Sequence, residues 1–134
     1  MSSCVIDCSF FIGWLLPDEK GVNFDPSSVT IHVPSVFLLE LLIALRKSLK
    51  RQRITKQEHD EFIEYCRYLP FNIDHFSSTQ ESLHNISLLS QKYDLTSYDA
   101  SYLELALRFQ SSIGTFDQKI IDACKHEKIK VLSL

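Results

Sequence analysis

The sequence predicts an α/β fold in which helices cover both faces of a central, mostly parallel sheet, so that the domain has three layers. Two observations predict it. Short runs with strand composition alternate with helical segments along the chain, and strands separated by helices pair in parallel. The chain of 134 residues, 45% of them apolar, is long enough to bury a core. We therefore expect one domain over residues 1–134, built as an α/β/α sandwich.

Five short segments have the composition of strands. The apolar run 4–7 ends in an acid, and 29–33 is rich in β-branched residues. The other three segments are 71–74, 112–115 and 129–132. Right-handed crossovers leave only a few possible strand orders for such a chain.

Helical segments lie between these strands. A short helix over 9–16 is expected to end at Pro17, and a polar loop follows over 17–28. Pro34 and Ser35 are expected to open a long apolar helix that runs to about residue 52. Further helices are predicted over about 56–68, 78–93, 96–109 and 117–126.

Composition argues against several classes of protein. The net charge of −3 argues against a protein that coats nucleic acid through bulk charge. No apolar run reaches the ~20 residues of a membrane span, and the N-terminus lacks the pattern of a signal peptide, so we expect a cytoplasmic protein with no membrane partner. Four cysteines and five histidines form no ligand cluster, which indicates reduced core cysteines and disfavours structural zinc.

Glu40 is the acid that most needs an explanation. It interrupts an apolar segment, with four apolar residues before it and five after. An ionised carboxylate buried there would cost several kcal/mol unless it is paired or binds a metal. The structural alternative is that the helix is exposed around Glu40, or that an arginine pairs with it.

Three aspartates stand where elements begin or end. Asp7 closes the first predicted strand and Asp117 follows the fourth, and ligands of parallel sheets bind beyond the carboxyl ends of strands. Asp99 follows Thr96 at the spacing of a capping box. Taken singly, a helix cap or an Asx turn explains Asp7 and Asp99 better than a ligand role does, and it explains Asp117 equally well.

Taken together with Glu40, these aspartates indicate a metal site. If all four converge, their mutual repulsion requires a cation, and an oxygen-only ligand set favours Mg²⁺ or Mn²⁺ over zinc. A carboxylate-held Mg²⁺ commonly serves phosphate chemistry.

A basic stretch follows Glu40 on the same predicted helix. No acid occurs between Glu40 and Glu58, and this interval contains Arg46, Lys47, Lys50, Arg51, Arg53 and Lys56. Arg46, Lys50 and Arg53 are expected to share one helix face. The stretch is interpreted as a surface that binds the RNA backbone beside the metal site. The alternative is a solvated helix end whose cations complement the helix dipole.

Three segments then occur in an order known from one family. The segment VIDCSFFIGWLLPDE reads as an opening strand, Asp-x-Ser and a short helix. Next comes VPSVFLLELLIALRKSLKRQRI, a proline-started helix with an acid and a basic tail. The third, LTSYDASYLELALRFQSSIGTFDQKIIDACKHEKIKVL, combines a tyrosine–aspartate–alanine motif, a Thr-x-Asp turn and a final strand. Over nearly its whole length the chain resembles the PIN-domain ribonucleases, and among them the VapC-type toxins of toxin–antitoxin pairs.

The resemblance implies the strand order 3-2-1-4-5, which would set the first and last acids side by side. It implies that four acids bind the metal and are catalytic, with two polar groups in support: the acids are Asp7, Glu40, Asp99 and Asp117, and the polar groups are Ser9 and Thr115. The chain departs from the family at two positions. Family members often have an asparagine where this chain has Ile43, and another acid where it has Lys119.

The function implied is a Mg²⁺- or Mn²⁺-dependent endoribonuclease that cleaves phosphodiester bonds with metal-activated water, as the toxin of a type II VapBC pair. Its RNA-binding residues would be the basic stretch, namely Arg46, Lys47, Lys50, Arg51 and Arg53. The resemblance also implies tRNA or ribosomal RNA as substrate, a small VapB-type antitoxin as partner, and a homodimer.

Two alternatives belong to other classes. One is a PIN fold that binds RNA or protein without cleavage, against which the complete acid set argues. The other is a receiver-like phosphoacceptor, which would need two adjacent acids after the first strand and a lysine after the last. SCVID and IKVL provide neither pattern.

Overall fold

The structure, a computed structural model, describes residues 2–16 and 25–132. Its sheet contains four strands, which are β1 (Ser3–Ile6), β2 (Thr30–Pro34), β3 (Phe71–Asp74) and β4 (Ser112–Gly114). All pairings are parallel and the order is β3-β2-β1-β4. The strand β1 therefore lies inside the sheet, and three of its four residues are buried.

The expected fifth strand is reduced to a single bridge. Val131 forms a parallel bridge with Ile113 alone. The Ile113 N–H donates to the Lys130 carbonyl at 3.0 Å, and the Leu132 N–H donates to the Ile113 carbonyl at 2.9 Å. Because β4 has only three residues, it offers little edge on which a neighbour could extend. The bridge lies beside β4, as the order 3-2-1-4-5 requires, so the predicted α/β fold class is confirmed with four strands instead of five.

This strand order also decides one of the alternatives. A receiver-like domain has the order 2-1-3-4-5, in which the third strand lies next to the first. Here β2 and β4 are the neighbours of β1. The receiver-like alternative is therefore wrong.

Helices flank the sheet. Within the described residues there are six α-helices: α1 (Cys8–Leu15), α2 (Phe37–Lys50), α3 (Lys56–Arg67), α4 (Leu83–Tyr93), α5 (Ser97–Phe109) and α6 (Gln118–Glu127). None of these helices is both long and apolar enough to cross a membrane. The expected loop 17–28 is described only from residue 25, and Pro17 lies outside the described residues.

Two predicted helix starts were wrong. Pro34 closes β2, and the Ser35 N–H donates to the Asp74 carbonyl at 3.0 Å, so the β2–β3 pairing continues past the proline and the helix starts later. The helix expected from residue 78 is preceded by two 3-10 turns, Phe76–Ser78 and Gln80–Ser82. There the Ser82 hydroxyl bonds to backbone carbonyls of the preceding turn, which competes with helix formation.

The core is aromatic where the sheet meets α1. The Phe11 ring packs edge-on against Phe37 and Phe71, with centroids 5.7 and 5.4 Å away. At the end of β4, a Cβ on Gly114 would lie 3.0 Å from ring carbons of Phe10, so the ring would have to move by a few tenths of an ångström. Glycine is therefore the residue that lets β4 end against this ring.

A buried ionic network joins α5 to the end of β3. Glu104 is only 5% exposed and accepts a 2.8 Å bond from Nε of Arg108. The same guanidinium donates to both carboxylate oxygens of Asp74, at 2.6 and 3.0 Å, and lies over the ring of Phe76. The hydrogen bond from Arg108 lowers the pKa of Asp74. Glu104 therefore has little contact with water, and Arg108 is the cation that pairs with it.

We expect Arg108→Met to lower the free energy of unfolding by about 2 kcal/mol, less than a fully buried pair would lose because Arg108 is partly exposed. Methionine keeps an apolar stem over Phe76 but leaves Glu104 without its cation. Urea denaturation at pH 7 measures the change. Lys56→Ala removes an exposed pair with Asp60 and should change stability little. Equal effects of the two substitutions would contradict a special role for the buried network.

Candidate active site

One cavity of about 400 Å³ brings the predicted acids together. It opens at the end of the sheet where β1 and β4 finish. Its walls come from residues of α1, α2 and α5 and from the start of α6. The lining residues include all four acids, Asp7, Glu40, Asp99 and Asp117, together with Ser9, Tyr102, Lys47 and Cys8.

Asp7 is the most buried of the four acids, at 6% exposure. It is the N-cap of α1, where Oδ1 accepts bonds of 2.9 Å from the Phe10 N–H and from the Ser9 hydroxyl. Its other oxygen accepts from the Thr115 hydroxyl. Burial raises the pKa of Asp7, these three bonds lower it, and the charge of Asp99 raises it further. The cap interpretation and the cavity position thus hold at the same time.

Thr115 connects the ends of β1 and β4. It follows β4 and is 3% exposed. Its hydroxyl donates to Asp7 and accepts a 3.0 Å bond from the Asp117 N–H. Asp117 is in turn the N-cap of α6, with Oδ1 3.1 Å from the Ile120 nitrogen. One buried hydroxyl therefore sets the relative position of two acids that are far apart in the sequence.

Glu40 is half-buried, and its partner is a tyrosine. The Tyr102 hydroxyl donates to Oε1 at 2.6 Å. Burial raises the pKa of Glu40, the bond from Tyr102 lowers it, and the charges of Asp99 and Asp7 raise it. No arginine of the described residues pairs with this carboxylate.

The alternative in which the helix is exposed around Glu40 is confirmed for one side of α2. Four apolar side chains of α2 are 42–64% exposed: Leu38, Leu39, Leu42 and Ile43. The buried face of α2 carries Phe37, Leu41 and Leu45 instead. Glu40 lies at the border between these faces. Its carboxylate is therefore partly buried, which disfavours its charge, but it keeps some contact with solvent.

Asp99 lies in the first turn of α5, as the capping spacing predicted. Its N–H donates to the hydroxyl of Thr96, the N-cap, at 3.1 Å. Burial raises the pKa of its carboxyl, the charge of Asp117 raises it further, and the hydroxyl of Thr96 lowers it. Asp99 therefore interacts electrostatically with the other acids across the cavity.

The donor set of this cavity suits a hard divalent cation. Its acids are carboxylates, and three of them, Asp7, Glu40 and Asp99, have raised pKa values to which neighbouring carboxylates contribute. A bound cation would relieve that repulsion. No three acid, imidazole or thiol groups of the described residues already stand as a closed metal cluster. The acids line the cavity wall, and a cation would have to draw them inward.

Comparison with known proteins identifies the fold family. The PIN domain family matches residues 4–126, which is most of the sequence. The chain belongs to the PIN domain family. None of the curated proteins compared with the chain matches it.

Solved structures have the same fold at low sequence identity. VapBC2 from Rickettsia felis, solved bound to a DNA fragment from its promoter, has a TM-score of 0.65 at 12% identity, with 97% of each chain covered. FitAcB from Neisseria gonorrhoeae has 0.64 at 12%, covering 97% of this chain and 96% of that one. A toxin–antitoxin complex from Klebsiella pneumoniae has 0.61 at 17%, with the same two coverages. The expected resemblance to PIN domains of the VapC type is confirmed at the level of fold.

The basic stretch of this PIN domain is arranged differently from the prediction. The helix α2 ends at Lys50, and Gln52 adopts a φ of 58°, so the chain reverses before Arg53. The Arg53 N–H bonds back to the Ser48 carbonyl at 3.0 Å. Arg46, Lys50 and Arg53 therefore do not continue one helix face, because the spacing rule applies only while the helix lasts.

Sequence reasoning missed two residues of the site. Tyr102, which bonds to Glu40, lies three residues after Asp99 on α5, and this helical spacing is the signal that predicts a shared face. Cys8 was expected in the core but lines the cavity. Burial, with the charges of Glu40 and Asp7, raises the pKa of its thiol to about 12. The thiol is therefore protonated at neutral pH.

The structure shows what surrounds the two residues that depart from the family pattern, Ile43 and Lys119. Ile43 lines the cavity beside Glu40, so an apolar side chain occupies the wall where other PIN domains often have an amide. Lys119 pairs with Asp94 at 2.9 Å. Its hydrogen bond with Asp94 raises its pKa, so it stays charged at neutral pH.

Glu40→Gln should stabilise the metal-free protein at pH 7 by about 1 kcal/mol. Glutamine keeps an oxygen for the Tyr102 hydroxyl and removes a charge that burial disfavours. Because folding raises the Glu40 pKa above its unfolded value of about 4.3, the penalty is absent where the carboxyl is protonated in both states and grows as pH rises through that value. The gain should therefore vanish near pH 4.

Thermal melting of both proteins in EDTA at the two pH values measures this effect. Glu81→Gln, at an exposed glutamate outside the cavity, is the matched control and should not shift the melting temperature. Marked destabilisation by Glu40→Gln at pH 7 would mean that the charge of Glu40 is needed by the fold.

Proposed function

We propose that this PIN domain is a Mg²⁺- or Mn²⁺-dependent endoribonuclease, and the toxin of a type II, VapBC-like toxin–antitoxin pair. Membership of the PIN domain family supports a nuclease. The observation that carries the proposal is that Asp7, Glu40, Asp99 and Asp117, which lie on four different segments, all line one cavity. Burial and mutual repulsion raise the pKa of three of them. A bound cation would relieve this repulsion, which supports a role of these acids in cation binding.

In the proposed mechanism the four acids hold the cation, and the groups around them set their orientation. Thr115 and Ser9 fix the carboxylate of Asp7, and Tyr102 fixes that of Glu40. When bound, Mg²⁺ or Mn²⁺ supplies the positive charge that stabilises phosphoryl transfer and activates water for hydrolysis. The chain itself contributes carboxylates that hydrogen bonds already orient before substrate arrives.

RNA as the substrate is supported by the distribution of charge. The chain is acidic overall, yet six of its fourteen basic residues lie within eleven positions, on the helix that carries Glu40 and just after it. A local basic surface next to an acidic cavity suits a phosphate backbone that must approach bound cations. We propose tRNA or ribosomal RNA as the substrate class, which sets the site of action in the cytoplasm.

Two protein partners belong to the proposal: a VapB-type antitoxin that blocks the cavity, and a second copy of the chain. Exposed apolar side chains support protein contacts. On α2, Leu39 is 64% exposed, and on α4, Leu83 is 67% exposed. Exposed apolar patches of this kind often mark protein interfaces.

The decisive experiment is RNA cleavage by the purified protein. EDTA should abolish cleavage of total tRNA, and Mg²⁺ or Mn²⁺ should restore it, because the carboxylates need a cation to act on a phosphate. Asp7→Asn should lose activity, since it removes the charge of the most buried acid. Cleavage that persists undiminished in EDTA would contradict the metal-dependent mechanism.

A binding measurement separates a missing cation site from a missing substrate. Mg²⁺ should raise the melting temperature of the unsubstituted protein more than that of Asp7→Asn, because ligand binding stabilises the native state. If Mg²⁺ stabilises the protein but no RNA is cut, the cation site stands and the substrate assignment is wrong.

The basic stretch should govern affinity more than chemistry. The triple substitution of Arg46, Lys50 and Arg53 by Ala should weaken binding of structured RNA of any sequence. The slope of log affinity against log salt should fall by about one for each phosphate that the protein no longer binds. Filter binding over a salt series measures it. An unchanged slope would mean that these residues do not contact RNA phosphates and that the stretch is a solvated helix end.

A further inference from the structure

The basic residues after Glu40 are not equivalent in the structure. Of the basic residues that are described, only Lys47 lines the cavity that contains the four acids. Arg46, Lys50 and Arg51 are exposed and lie outside its lining. If all the basic residues bound RNA equally, this difference would have no explanation. Complementing the helix dipole does not explain it either, because Lys50 lies in the same last turn as Lys47 but outside the cavity.

Helix geometry sets Lys47 at a defined distance from Glu40. Lys47 follows Glu40 by seven residues, which is two helical turns, so both residues point from nearly the same face of α2. The rise of 1.5 Å per residue separates them by about 10.5 Å along the axis. Ile43 and Ala44 lie between them and line the same wall. This wall therefore has a carboxylate at one end, an apolar middle and an ammonium group at the other end.

Lys47 does not neutralise the acids. Among the described residues no carboxylate lies within ion-pair distance of its ammonium group. The charged groups that act on Asp7, Glu40 and Asp99 are other acids, and Lys47 is not one of them. The ammonium group is therefore available to an anion that enters the cavity.

The size of the cavity limits what that anion can belong to. About 400 Å³ falls within the range of small-ligand pockets, which admits a nucleotide or two of a single strand but not a duplex. A phosphate held at the Glu40 end of this wall would lie about two helical turns from the backbone of Lys47, so the lysine is placed to reach a different phosphate of the same strand.

We propose that Lys47 is a positioning residue that binds a phosphate flanking the scissile one, so that an unpaired RNA strand lies along α2 from the acids toward the C-terminal end of the helix. This proposal rests on the proposed nuclease function and assigns the orientation of its substrate. The interaction is present before and during the reaction. Its removal should therefore raise KM and leave kcat nearly unchanged.

The test compares Lys47→Ala with two other substitutions of the same charge change. Lys50→Ala removes a charge from the same helix outside the cavity, and Lys125→Ala removes one from α6. In EDTA, binding of a labelled single-stranded RNA oligonucleotide is followed over a salt series. Lys47→Ala should reduce the magnitude of the salt slope by about 0.7 and weaken binding about tenfold at low salt, and Lys125→Ala should do neither. Lys47→Arg should restore both values.

Cleavage kinetics in Mg²⁺ provide the second arm. The KM of Lys47→Ala should rise about tenfold, with kcat within about twofold of the unsubstituted protein, and Lys50→Ala should raise KM less. Three results overturn the proposal: Lys47→Ala behaves as Lys125→Ala does, kcat falls while KM is unchanged, or the same loss occurs with an RNA duplex.

The binding experiment and the cleavage experiment distinguish a failure of this proposal from a failure of the proposed nuclease function. The binding arm needs no cleavage, so it tests Lys47 even if the protein cuts no RNA. Failure of the unsubstituted protein to cleave in any divalent cation contradicts the nuclease function. A loss of binding that does not depend on Lys47 contradicts the positioning role alone.

Discussion

The hydroxyl of Thr115 is the contact on which the candidate site depends. It donates to the carboxylate of Asp7 and accepts from the backbone N–H of Asp117. This is possible because β1 and β4 pair in parallel with Ile6 opposite Gly114, so their carboxyl ends meet. The Asp7 N–H then donates to the Gly114 carbonyl at 3.0 Å and continues that pairing by one step. Sheet register, and not local sequence, decides where the two acids stand.

Each of the three aspartates has a structural task besides its place in the cavity. Asp7 and Asp117 are N-caps of α1 and α6, and Asp99 lies in the first turn of α5. Three helix N-termini therefore face the cavity, and their partial positive charges favour anions there. This field offsets part of the repulsion among the acids. At Asp7 and Asp117, capping a helix and lining the cavity occur together, so a capping role does not argue against the proposed role in the site.

The fold was predicted from strong local patterns, and the meeting of Asp7 and Asp117 from the strand order that the family resemblance implies. Strand ends, the capping spacing at Thr96 and the acid within an apolar helix are all visible in the chain. The end of α2 was not visible, because Gln52 adopts a left-handed conformation without a glycine to signal it. The exposure of Leu38, Leu39 and Leu42 was also hidden, since apolar composition does not tell whether a helix face meets the core or solvent. The special place of Lys47 depends on which wall of a cavity α2 forms, and that is a tertiary fact.

Gly114 carries a consequence for how variation along this chain is understood. Any side chain there would press on the ring of Phe10, and the N–H of Phe10 is one of the donors that hold Asp7. A larger residue at the end of β4 would displace the ring of Phe10, and a shift of Phe10 would in turn disturb the carboxylate of Asp7. A residue with no side chain of its own can thus influence how an acid is held, and the origin of that influence is steric.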